Sequence, residues 1–537
     1  MFETKKKSRS RLIASFGKAK EESFNFDPIE KYFRNKDQSG EYQVLSDKTC
    51  DDLDFNDLFI FADRTTSKVG QQFLYNTLRT IPSDADKFIE HERFIEQLTK
   101  DPDLRLKLQI HLNKLNSEST YFITSLFQDE HIKKPKWFFI IPVLSLTSLL
   151  SILMIPFIPQ FFILLVGVVV INMAIHYWNK RNLDEYIGSM PQLLKLNIVA
   201  KELLKFKLQV RIDPELEKSI RAIEKVRSNM SLFNLEAKLR SDIGTAFWSI
   251  LEIVKAMFLL EPLLLFRVLK LLDTKRREIG IVFSFIGYID SLISIASLRH
   301  GLKVFCLPDI RENGKVLDAV EMYHPLITSC IPNSINAAGK SVLITGSNMS
   351  GKTSFIRTIG LNVITALTIN TCFARQLSLS RFKIFSAIRI SDNLINDRSY
   401  YFEEVLTIKE MIEKSQMQET NLFLLDEIFK GTNTIERISA GKAVLSFLSN
   451  QNNIVFVSTH DIELADLLQD TYHLYHFSEQ VDNKTVDFDF KLKEGKIKSR
   501  NAIRILEIND YPGKIITEAM ELSHELDKIF IVSKNLI

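Results

Sequence analysis

The stretch Thr345-Gly-Ser-Asn-Met-Ser-Gly-Lys-Thr-Ser-Phe-Ile-Arg357 carries the most specific pattern in the chain. Its segment Gly346–Thr353 fits G-x-x-x-x-G-K-[ST], a strand pattern precedes it at Ser341–Ile344, and a helix pattern follows it. Glycines in such a loop let backbone N–H groups surround phosphate oxygens, and the next helix adds the positive end of its dipole. A chance match is the alternative, but the strand–loop–helix context favours a nucleoside triphosphate site.

The chemistry of each side chain in this loop predicts its role. We expect Lys352 to reach the β- and γ-phosphates and the Thr353 hydroxyl to ligate Mg²⁺. The residues predicted to surround ATP are Gly346, Ser347, Asn348, Met349, Ser350, Gly351, Lys352, Thr353 and Ser354.

Two later strand ends complete a predicted hydrolytic site. The apolar run Leu422–Leu425 is followed by Asp426, expected to hold Mg²⁺, and Glu427, expected to orient or deprotonate the attacking water. His460 follows the strand pattern Ile454–Ser458, where it is predicted to sense or stabilise the γ-phosphate. Acidic pairs and single histidines at strand ends are often structural, but their position after the phosphate loop favours catalysis. The sequence therefore predicts an ATPase with ATP and Mg²⁺ as cofactors.

Composition bounds the chain without identifying a partner. Its 537 residues suffice for about two to four domains, and a net charge of +3 does not single out a nucleic-acid binder. Lysines and arginines crowd the first twenty positions, but no apolar run follows them as a secretory signal would require. We expect residues 1–40 to be a flexible basic tail, either solvated or touching phosphates of lipid or nucleic acid. Four cysteines without CxxC spacing indicate a reducing compartment rather than a zinc or disulfide framework.

Two uncharged apolar stretches interrupt the chain at 137–155 and 160–178. Each has about 19 residues, close to the roughly 20 that a helix needs to cross the hydrocarbon layer. Prolines break the pattern between them, basic residues flank both, and Trp137 and Trp178 lie where an interfacial aromatic belt would form. These features predict a transmembrane hairpin within 131–182, in a bacterial-type cytoplasmic membrane, with the N-terminal tail and the ATPase domain facing the cytoplasm. The alternative is a buried helical hairpin of a soluble protein.

The remaining segments divide by their periodicity. Helical spacing over 41–130 and 183–300 predicts the two parts of an all-α core and lever region that the hairpin interrupts. Apolar stretches at Ala256–Phe266 and Ile279–Leu298 contain acidic residues, so we expect buried helices there. From 301 to 537 strands alternate with helices, which predicts an α/β P-loop NTPase (ABC-like ATPase) domain with a parallel sheet.

Taken together, these segments resemble the MutS family of mismatch-repair ATPases. The likeness rests on the phosphate loop with its Asn348-Met349 pair, on D-E-x-x-x-G-T at 426–432, on T-H-x-x-E-L at 459–464 and on the closing segment 491–519. Residues 391–404 look like the family's signature loop. The match is strong over about 310–525, weaker over 55–130 and 183–300, and does not cover the hairpin or the basic tail.

The resemblance implies a homodimer in which Ser399 contacts the γ-phosphate bound in the partner subunit, and it implies DNA as a ligand. This chain departs from the family pattern at four positions near the phosphates. Ser347 and Ser350 stand where proline and glycine are customary, and Phe429 and Lys430 stand where glycine and arginine are customary. These departures are expected to affect turnover, but none removes a group that the phosphate chemistry requires.

The resemblance to the family's helical core begins at about residue 55, so we expect this chain to lack the family's mismatch-reading N-terminal domain. Phe88 and Phe94 begin Phe-x-Glu triplets like those of the family's mismatch wedge, but both fall on an amphipathic helix pattern. We therefore expect the two rings to pack in a core. Base-specific recognition of DNA is not predicted.

Two functions stay open at this point. The first is a membrane-anchored MutS-like ATPase whose homodimer binds ATP to grip DNA without base specificity and hydrolyses ATP to release it, acting with a repair partner protein. The second keeps the same ATPase as a membrane-tethered switch that acts on a protein or lipid partner rather than on DNA. Half of an ABC-type transporter is disfavoured, because two spans are too few for a translocation path and no L-S-G-G-Q signature occurs.

Overall fold

The structure is a computed structural model, and it divides the chain into two compact units. It describes residues 5–84, 86–226, 252–312, 314–337, 339–347, 349–389, 400–481, 486–497, 502–509 and 511–534. A helical unit comprises 1–40, 62–79 and 84–301, and an α/β unit comprises 41–61, 80–83 and 302–537.

The described residues of the helical unit are mostly α-helical. Its helices are Lys5–Ser15, Phe26–Arg34, Lys68–Arg79, Lys87–Lys100, Pro102–Leu112, Ser125–Gln128, Ile140–Met154, Phe161–Ile187, Ser189–Leu203, Leu216–Val226, Leu260–Asp273 and Arg276–Gly301, with 3₁₀ turns at Asn113–Leu115, Glu118–Ile123 and Lys136–Phe139.

The helix Arg276–Gly301 forms the centre of this unit. It packs against Lys68–Arg79 so closely that a Cβ at Gly70 would lie 2.1 Å from Asp290 Oδ2. Asp290 is fully buried and accepts hydrogen bonds from the backbone N–H and the hydroxyl of Ser67, at 2.7 and 2.6 Å. Burial outweighs these hydrogen bonds and raises the pKa of Asp290 to about 6. The expectation of a buried helix at Ile279–Leu298 is confirmed.

The first forty residues differ from the expected flexible tail. Within the described part they form two helices, and Phe26–Arg34 packs on Lys68–Arg79. Ile29, Tyr32 and Phe33 are buried, because their spacing places them on one helix face. The high charge of the surrounding sequence conceals this apolar face. The rings of Phe88 and Phe94 are also buried, on helix Lys87–Lys100, as predicted.

The predicted hairpin consists of the helices Ile140–Met154 and Phe161–Ile187, which pack against each other. Among the described residues, three helices have the length and apolar composition needed to cross a membrane: Lys136–Met154, Phe161–Asn179 and Arg276–Gly301. Only 22% and 17% of the first two are buried within the protein, against 78% of the third. The third helix therefore belongs to the core, whereas the hairpin leaves its apolar side chains exposed.

Polar contacts join residues 252–257 to the hairpin. Asn172 Nδ2 donates to the Met257 carbonyl at 2.7 Å and to Ser148 Oγ at 3.0 Å. Nearby, His176 Nε2 lies 3.2 Å from a carboxylate oxygen of Glu252. These contacts place the residues just before helix Leu260–Asp273 alongside the second hairpin helix.

The α/β unit contains two larger sheets. The six-stranded sheet has the order β14-β11-β6-β10-β9-β8, parallel except for β14, and the four-stranded sheet has the order β3-β7-β4-β5. The strands are β1 Gln43–Val44, β2 Thr80–Ile81, β3 Asp309–Arg311, β4 Leu317–Met322, β5 Asn333–Asn336, β6 Ser341–Thr345, β7 Gln376–Ser380, β8 Lys383–Ala387, β9 Asn421–Asp426, β10 Ile454–Thr459, β11 Tyr472–His476, β12 Glu479–Val481, β13 Val486–Phe488 and β14 Lys493–Glu494.

Helices pack around these sheets. They are Asp47–Asp52, Phe55–Ala62, Lys352–Ile369, Tyr400–Ser415, Thr434–Leu448, Ile462–Leu468, Ala502–Ile508 and Gly513–Lys534. The six-stranded, mainly parallel sheet is the type that the alternating pattern after residue 301 predicted.

The predicted domain boundary at residue 301 needs a correction. Residues 41–61 and 80–83 were expected in the helical region, but they belong to the α/β unit. Asp52 is buried at the end of β8, where it accepts hydrogen bonds from Ser386 Oγ at 2.6 Å and from the backbone N–H of Arg389 at 2.7 Å. The helical spacing of 41–61 identifies a buried face but not the element that covers it.

Candidate active site

The register of the central strands brings the predicted site residues to one edge of the sheet. Asp426, at the end of β9, lies opposite Ser458 of β10, and the next residue of β10, Thr459, lies opposite Thr345 of β6. Since the strands are parallel, the loops that follow β6, β9 and β10 all leave from this edge. Residues distant in the sequence thus converge beside the start of helix Lys352–Ile369.

The loop after β6 closes on itself through backbone geometry and serine hydroxyls. Gly346 and Gly351 have φ values of 154° and 105°, and a Cβ at Gly346 would lie 2.8 Å from the Phe477 carbonyl oxygen. Ser350 Oγ donates to the Ser347 carbonyl at 2.9 Å, and Ser347 Oγ donates to Glu479 at 2.7 Å. The serines that depart from the family pattern therefore stabilise the loop.

Lys352 lies at the first turn of the helix with its ammonium group inside the loop. The Nζ atom donates to the carbonyls of Gly346 and Ser347 at 2.9 and 2.8 Å. Burial lowers the pKa of Lys352, although Glu427 and Asp426 act in the opposite direction. The positive charge is thus held where phosphate oxygens can replace the carbonyls as acceptors.

Thr353 and Asp426 form a pair of oxygen donors. Thr353 Oγ1 donates to Asp426 Oδ2 at 2.7 Å, and Ser458 Oγ donates to the other carboxylate oxygen. A hydroxyl and a carboxylate beside a phosphate-binding loop are the hard oxygen ligands that Mg²⁺ prefers, so these residues fit the predicted metal. Residues Thr353 and Asp426 would hold the ion together with phosphate oxygens.

Glu427 lies between His460 and Lys430. Its Oε1 is 2.6 Å from His460 Nε2 and its Oε2 is 2.9 Å from Lys430 Nζ. Burial opposes ionisation of this carboxyl, but the hydrogen bonds from His460 and Lys430 outweigh it and lower the pKa to about 2. The backbone of Glu427 has a φ of 53° and donates its N–H to the Ser458 carbonyl at 2.9 Å. Glu427 is therefore an anion with a fixed orientation.

The contacts of His460 define its hydrogen-bonding role. A carboxylate only accepts, so Nε2 carries the hydrogen that points to Glu427. The approach of Lys352 Nζ to the same nitrogen, at 3.4 Å, is then a close contact rather than a hydrogen bond. The next residue, Asp461, is held by a bidentate ion pair with Arg437 at 2.7 and 2.9 Å, which fixes the turn.

Phe429 departs from the family pattern at a position with left-handed backbone geometry. Its φ is 60°, a conformation that favours glycine. The ring is buried, and Glu404, in the segment that resembles the signature loop, accepts the Phe429 N–H at 2.5 Å. Packing and this hydrogen bond thus hold the turn after Glu427 without glycine.

A cavity of about 390 Å³ adjoins the phosphate-binding loop. Its wall combines the loop with side chains of the four-stranded sheet region and with Phe490, which lies 3.3 Å from the position of a Cβ at Gly351. Asn333 holds the Phe490 segment by donating to the Phe490 carbonyl at 3.0 Å. The lining residues include Met322, His324, Ile327, Cys330, Ile331, Met349, Phe355, Thr358, Glu427 and Phe477.

The structure brings together most of the predicted site residues. Lys352, Thr353, Asp426, Glu427 and His460 converge, and their catalytic roles stay predictions. Met349, with a φ of 67°, is largely exposed at the rim, and Ser354 follows Thr353 in the cavity wall. Asn348 and Ser399 lie outside the described residues.

Sequence analysis missed three further residues. Ser458 holds the Asp426 carboxylate, Glu479 holds Ser347, and Phe490 lines the cavity. Only Ser458 had a signal, since it lies just before the Thr459-His460 pair at the end of a predicted strand. The other two belong to a segment without a recognised local motif.

Comparison with known proteins shows that the residues of this site lie in a segment that matches a known protein domain. Residues 342–527 match the family model of MutS domain V. The chain is 28% identical over 254 residues to the DNA mismatch repair protein MutS of Geobacillus sp. (strain WCH70) and 27% identical over 260 residues to that of Aquifex pyrophilus. It is 28% identical over 261 residues to the DNA mismatch repair protein MSH3 of Vanderwaltozyma polyspora.

These similarities cover part of each protein. The alignments include 45%, 47% and 46% of this chain but 28%, 30% and 25% of the respective relatives. The chain thus matches between a quarter and a third of the length of these relatives.

Proposed function

Because the chain is a member of the MutS family, with domain V of that family at its C-terminal end, we propose that it binds and hydrolyses ATP with Mg²⁺. The observation that carries the proposal is the convergence of Lys352, Thr353, Asp426 and Glu427 at one sheet edge. Each supplies a different requirement of phosphoryl transfer: a cation for the phosphates, two oxygen ligands for Mg²⁺, and a carboxylate for water.

In the proposed reaction, Lys352 transfers its hydrogen bonds from the loop carbonyls to phosphate oxygens. Bound Mg²⁺ would neutralise charge on the β- and γ-phosphates. With its low pKa, Glu427 is a weak base, so it orients the attacking water and takes up its proton late. His460 donates through Nε2 to Glu427 and keeps the carboxylate facing the phosphates.

The cavity beside the loop is the proposed adenine site. Phe490 offers an aromatic face at its edge, and Ile327 and Ile331 offer apolar contacts. A purine requires such flat, apolar surfaces, since stacking supplies most of its non-polar binding energy. The cavity adjoins Gly351 of the phosphate-binding loop, so a base bound there would lie beside its own phosphates.

Two variants test the ATPase. Lys352→Ala should abolish detectable ATP binding, because it removes the charge-assisted hydrogen bonds to phosphate. Glu427→Gln should bind ATP normally, yet its kcat should fall by about 100- to 10,000-fold, since the water loses its carboxylate. Binding is read with a fluorescent ATP analogue and turnover by phosphate release. Normal turnover by Glu427→Gln would refute the role assigned to this residue.

We further propose that the protein acts as a homodimer that grips DNA in an ATP-dependent manner, without base specificity, and works with a repair partner protein. The named function of the MutS and MSH3 relatives supports DNA as the ligand. The signature-loop resemblance supports completion of each site by Ser399 of the partner subunit. A Ser399→Ala variant should then lower turnover, while an equimolar mixture with Lys352→Ala should recover part of it through mixed dimers.

The DNA proposal has a direct test. Detergent-purified protein should bind duplex or branched DNA at micromolar concentration or better, and the affinity should fall steeply with salt as phosphate contacts require. Absence of binding at low salt, with and without ATP, would contradict DNA as the ligand. That result would favour the alternative of a membrane-tethered switch acting on a protein or lipid partner.

We also propose that the hairpin anchors the protein in a bacterial-type cytoplasmic membrane, with the ATPase domain and the N-terminal helices in the cytoplasm. The exposed side chains support this proposal: Phe139, Val143, Leu153, Phe162, Ile163 and Val170 are each more than half exposed. The rings of Trp137 and Trp178 lie 5.0 Å apart, which fits two helix ends at the same membrane level. Recovery of the full-length protein in the soluble fraction without detergent would refute the anchor.

A further inference from the structure

A second cavity, of about 530 Å³, lies at the base of the hairpin. Residues 130–138 form one side, and helix Leu260–Asp273 forms the other. Its floor is apolar, because the rings of Phe138 and Phe266 meet edge to face at 5.0 Å and Leu263 packs beside them. This floor continues into the exposed apolar surface of the hairpin, beginning at Phe139.

The rim of this cavity is basic. Lys134, Arg267 and Lys270 line it and are exposed, and none of the three forms an ion pair with any residue that the structure describes. Arg267 and Lys270 lie three residues apart on one helix, so they point to the same side. Lys134 Nζ lies 4.1 Å from the centroid of the Phe138 ring, at the junction of rim and floor.

The other charges around the cavity are already neutralised. Lys133 pairs with Glu130 at 3.4 Å, and Asp273 pairs with Arg276 at 2.6 Å and contacts His131 at 3.0 Å. Because Glu130 and Asp273 already have partners, they do not balance the three cations of the rim. A cavity with an apolar floor and unbalanced positive charge is complementary to an amphiphilic anion.

The position of the cavity relative to the hairpin indicates which kind of anion binds there. The segment leading into helix Leu260–Asp273 lies beside the second hairpin helix, through the contact of Asn172 with Met257. The last residue of helix Leu260–Asp273 contacts His131, which precedes the first hairpin helix in the sequence. Arg267 and Lys270 lie between these two points, at the depth where the hairpin would pass from lipid to water. A free phosphate would leave the apolar floor uncovered, whereas a phospholipid covers it with its acyl chains.

We propose that this cavity binds the phosphate headgroup of an anionic phospholipid from the membrane that the hairpin enters. The inference rests on the proposed membrane anchor. The phosphate lies among Arg267, Lys270 and Lys134, and the acyl chains follow Phe138 and Leu263 onto the hairpin surface. Basic pockets at the cytoplasmic end of membrane helices bind anionic headgroups in this way.

The test uses full-length protein purified in an uncharged detergent and titrated with phosphatidylglycerol or phosphatidylcholine, with bound lipid counted by native mass spectrometry. We expect a preference for phosphatidylglycerol. The double variant Arg267→Gln/Lys270→Gln should weaken phosphatidylglycerol binding about 30-fold, the factor expected from removing two basic contacts to an anionic headgroup. The matched control Lys207→Gln/Arg211→Gln removes an exposed lysine and arginine of the same unit away from the cavity, and should bind like the wild type.

Several outcomes would overturn the lipid site while leaving the anchor intact. They are equal binding of the two lipids, an unchanged preference in Arg267→Gln/Lys270→Gln, or an equal loss in the control variant. Displacement of phosphatidylglycerol by millimolar inorganic phosphate would identify a small-anion site instead, and displacement by duplex DNA would identify a nucleic-acid contact. Recovery of the protein in the soluble fraction without detergent would instead refute the anchor itself.

Discussion

Glu427 is the residue at which the site departs most from a simple phosphate-binding loop, because Lys430 lies against the carboxylate expected to handle water. The pKa of about 2 keeps Glu427 ionised at every pH near neutrality. As the folded-state pKa is lowered from 4.5, the stability from these contacts is present above pH 4.5 and is lost as the pH falls towards 2. Turnover should therefore show no loss from protonation of Glu427 between about pH 5 and 9.

Lys430→Met is expected to raise kcat about two- to fivefold. Loss of the ammonium group raises the pKa of Glu427 towards its ordinary value, and a stronger base accepts the proton of water more readily. Phosphate release at pH 7.5 measures the effect. Lys430→Arg keeps the ion pair and should match the wild type, while adding Lys430→Met to Glu427→Gln should change nothing. A fall in kcat in Lys430→Met alone would contradict an effect through Glu427.

The position of Phe490 at the edge of the cavity leads to a prediction about nucleotide affinity. Phe490→Ala should raise the KM for ATP about tenfold, within the range that loss of one base–aromatic stack produces, and should leave kcat nearly unchanged. Phe488 is the matched control, since its ring lies 5.9 Å from that of Phe490 but does not line the cavity. An equal effect of Phe488→Ala would point to a general disturbance of the segment rather than to a contact with adenine.

Among the elements, the helix Arg276–Gly301 offers an internal comparison of two glycines. A Cβ at Gly287 would lie 2.5 Å from Phe73 Cβ, whereas a Cβ at Gly280 would meet Phe127 at an ordinary 3.6 Å. Gly287→Ala should destabilise the helical unit by about 1–3 kcal/mol through overpacking. Gly280→Ala should be neutral or stabilise by up to about 1 kcal/mol through helix propensity. Melting temperatures in detergent should separate the two variants, and equal temperatures would contradict the close packing.

Elements were predictable from the sequence where burial leaves a continuous pattern. Strands β9 and β10 are buried on both faces, so they contain the unbroken apolar runs Leu422–Leu425 and Ile454–Val457, which lie just before Asp426 and Ser458. The helix Phe26–Arg34 was missed because three buried residues stand among charged neighbours. Phe490 and Glu479 were missed because their function depends on long-range folding of segments that have no motif.

At the scale of the whole molecule, the α/β unit is discontinuous in sequence. Residues 41–61 belong to it although the helical unit and the hairpin separate them from residue 302. A one-dimensional pattern shows which face of a segment is apolar, but the covering element is set by tertiary contacts. This is why the strands that carry the site residues could be predicted from the sequence, whereas the domain boundary could not.

Asp52→Ala tests this arrangement. It should destabilise the α/β unit by about 2–4 kcal/mol, because the buried N–H of Ile388 and the part-buried N–H of Arg389 lose their acceptor. The neighbouring Asp51 has an exposed side chain, so Asp51→Ala should change the melting temperature little. Thermal unfolding followed by loss of ATP binding distinguishes them, and an unchanged midpoint for Asp52→Ala would contradict the role of this segment.

The discontinuous unit also has a consequence during synthesis. Leu53 and Phe59 are fully buried in the finished protein, and Leu53 lies against Gly360 in a helix made much later. Between residue 61 and residue 426 a ribosome needs roughly 20 to 70 s at ordinary elongation rates. For that interval the early segment has no sheet to cover it, while the hairpin would already be entering the bilayer. We therefore expect nascent chains of intermediate length to depend on a chaperone that shields residues 41–61, and ribosome profiling of chaperone-bound chains would locate its release near the synthesis of β9 and β10.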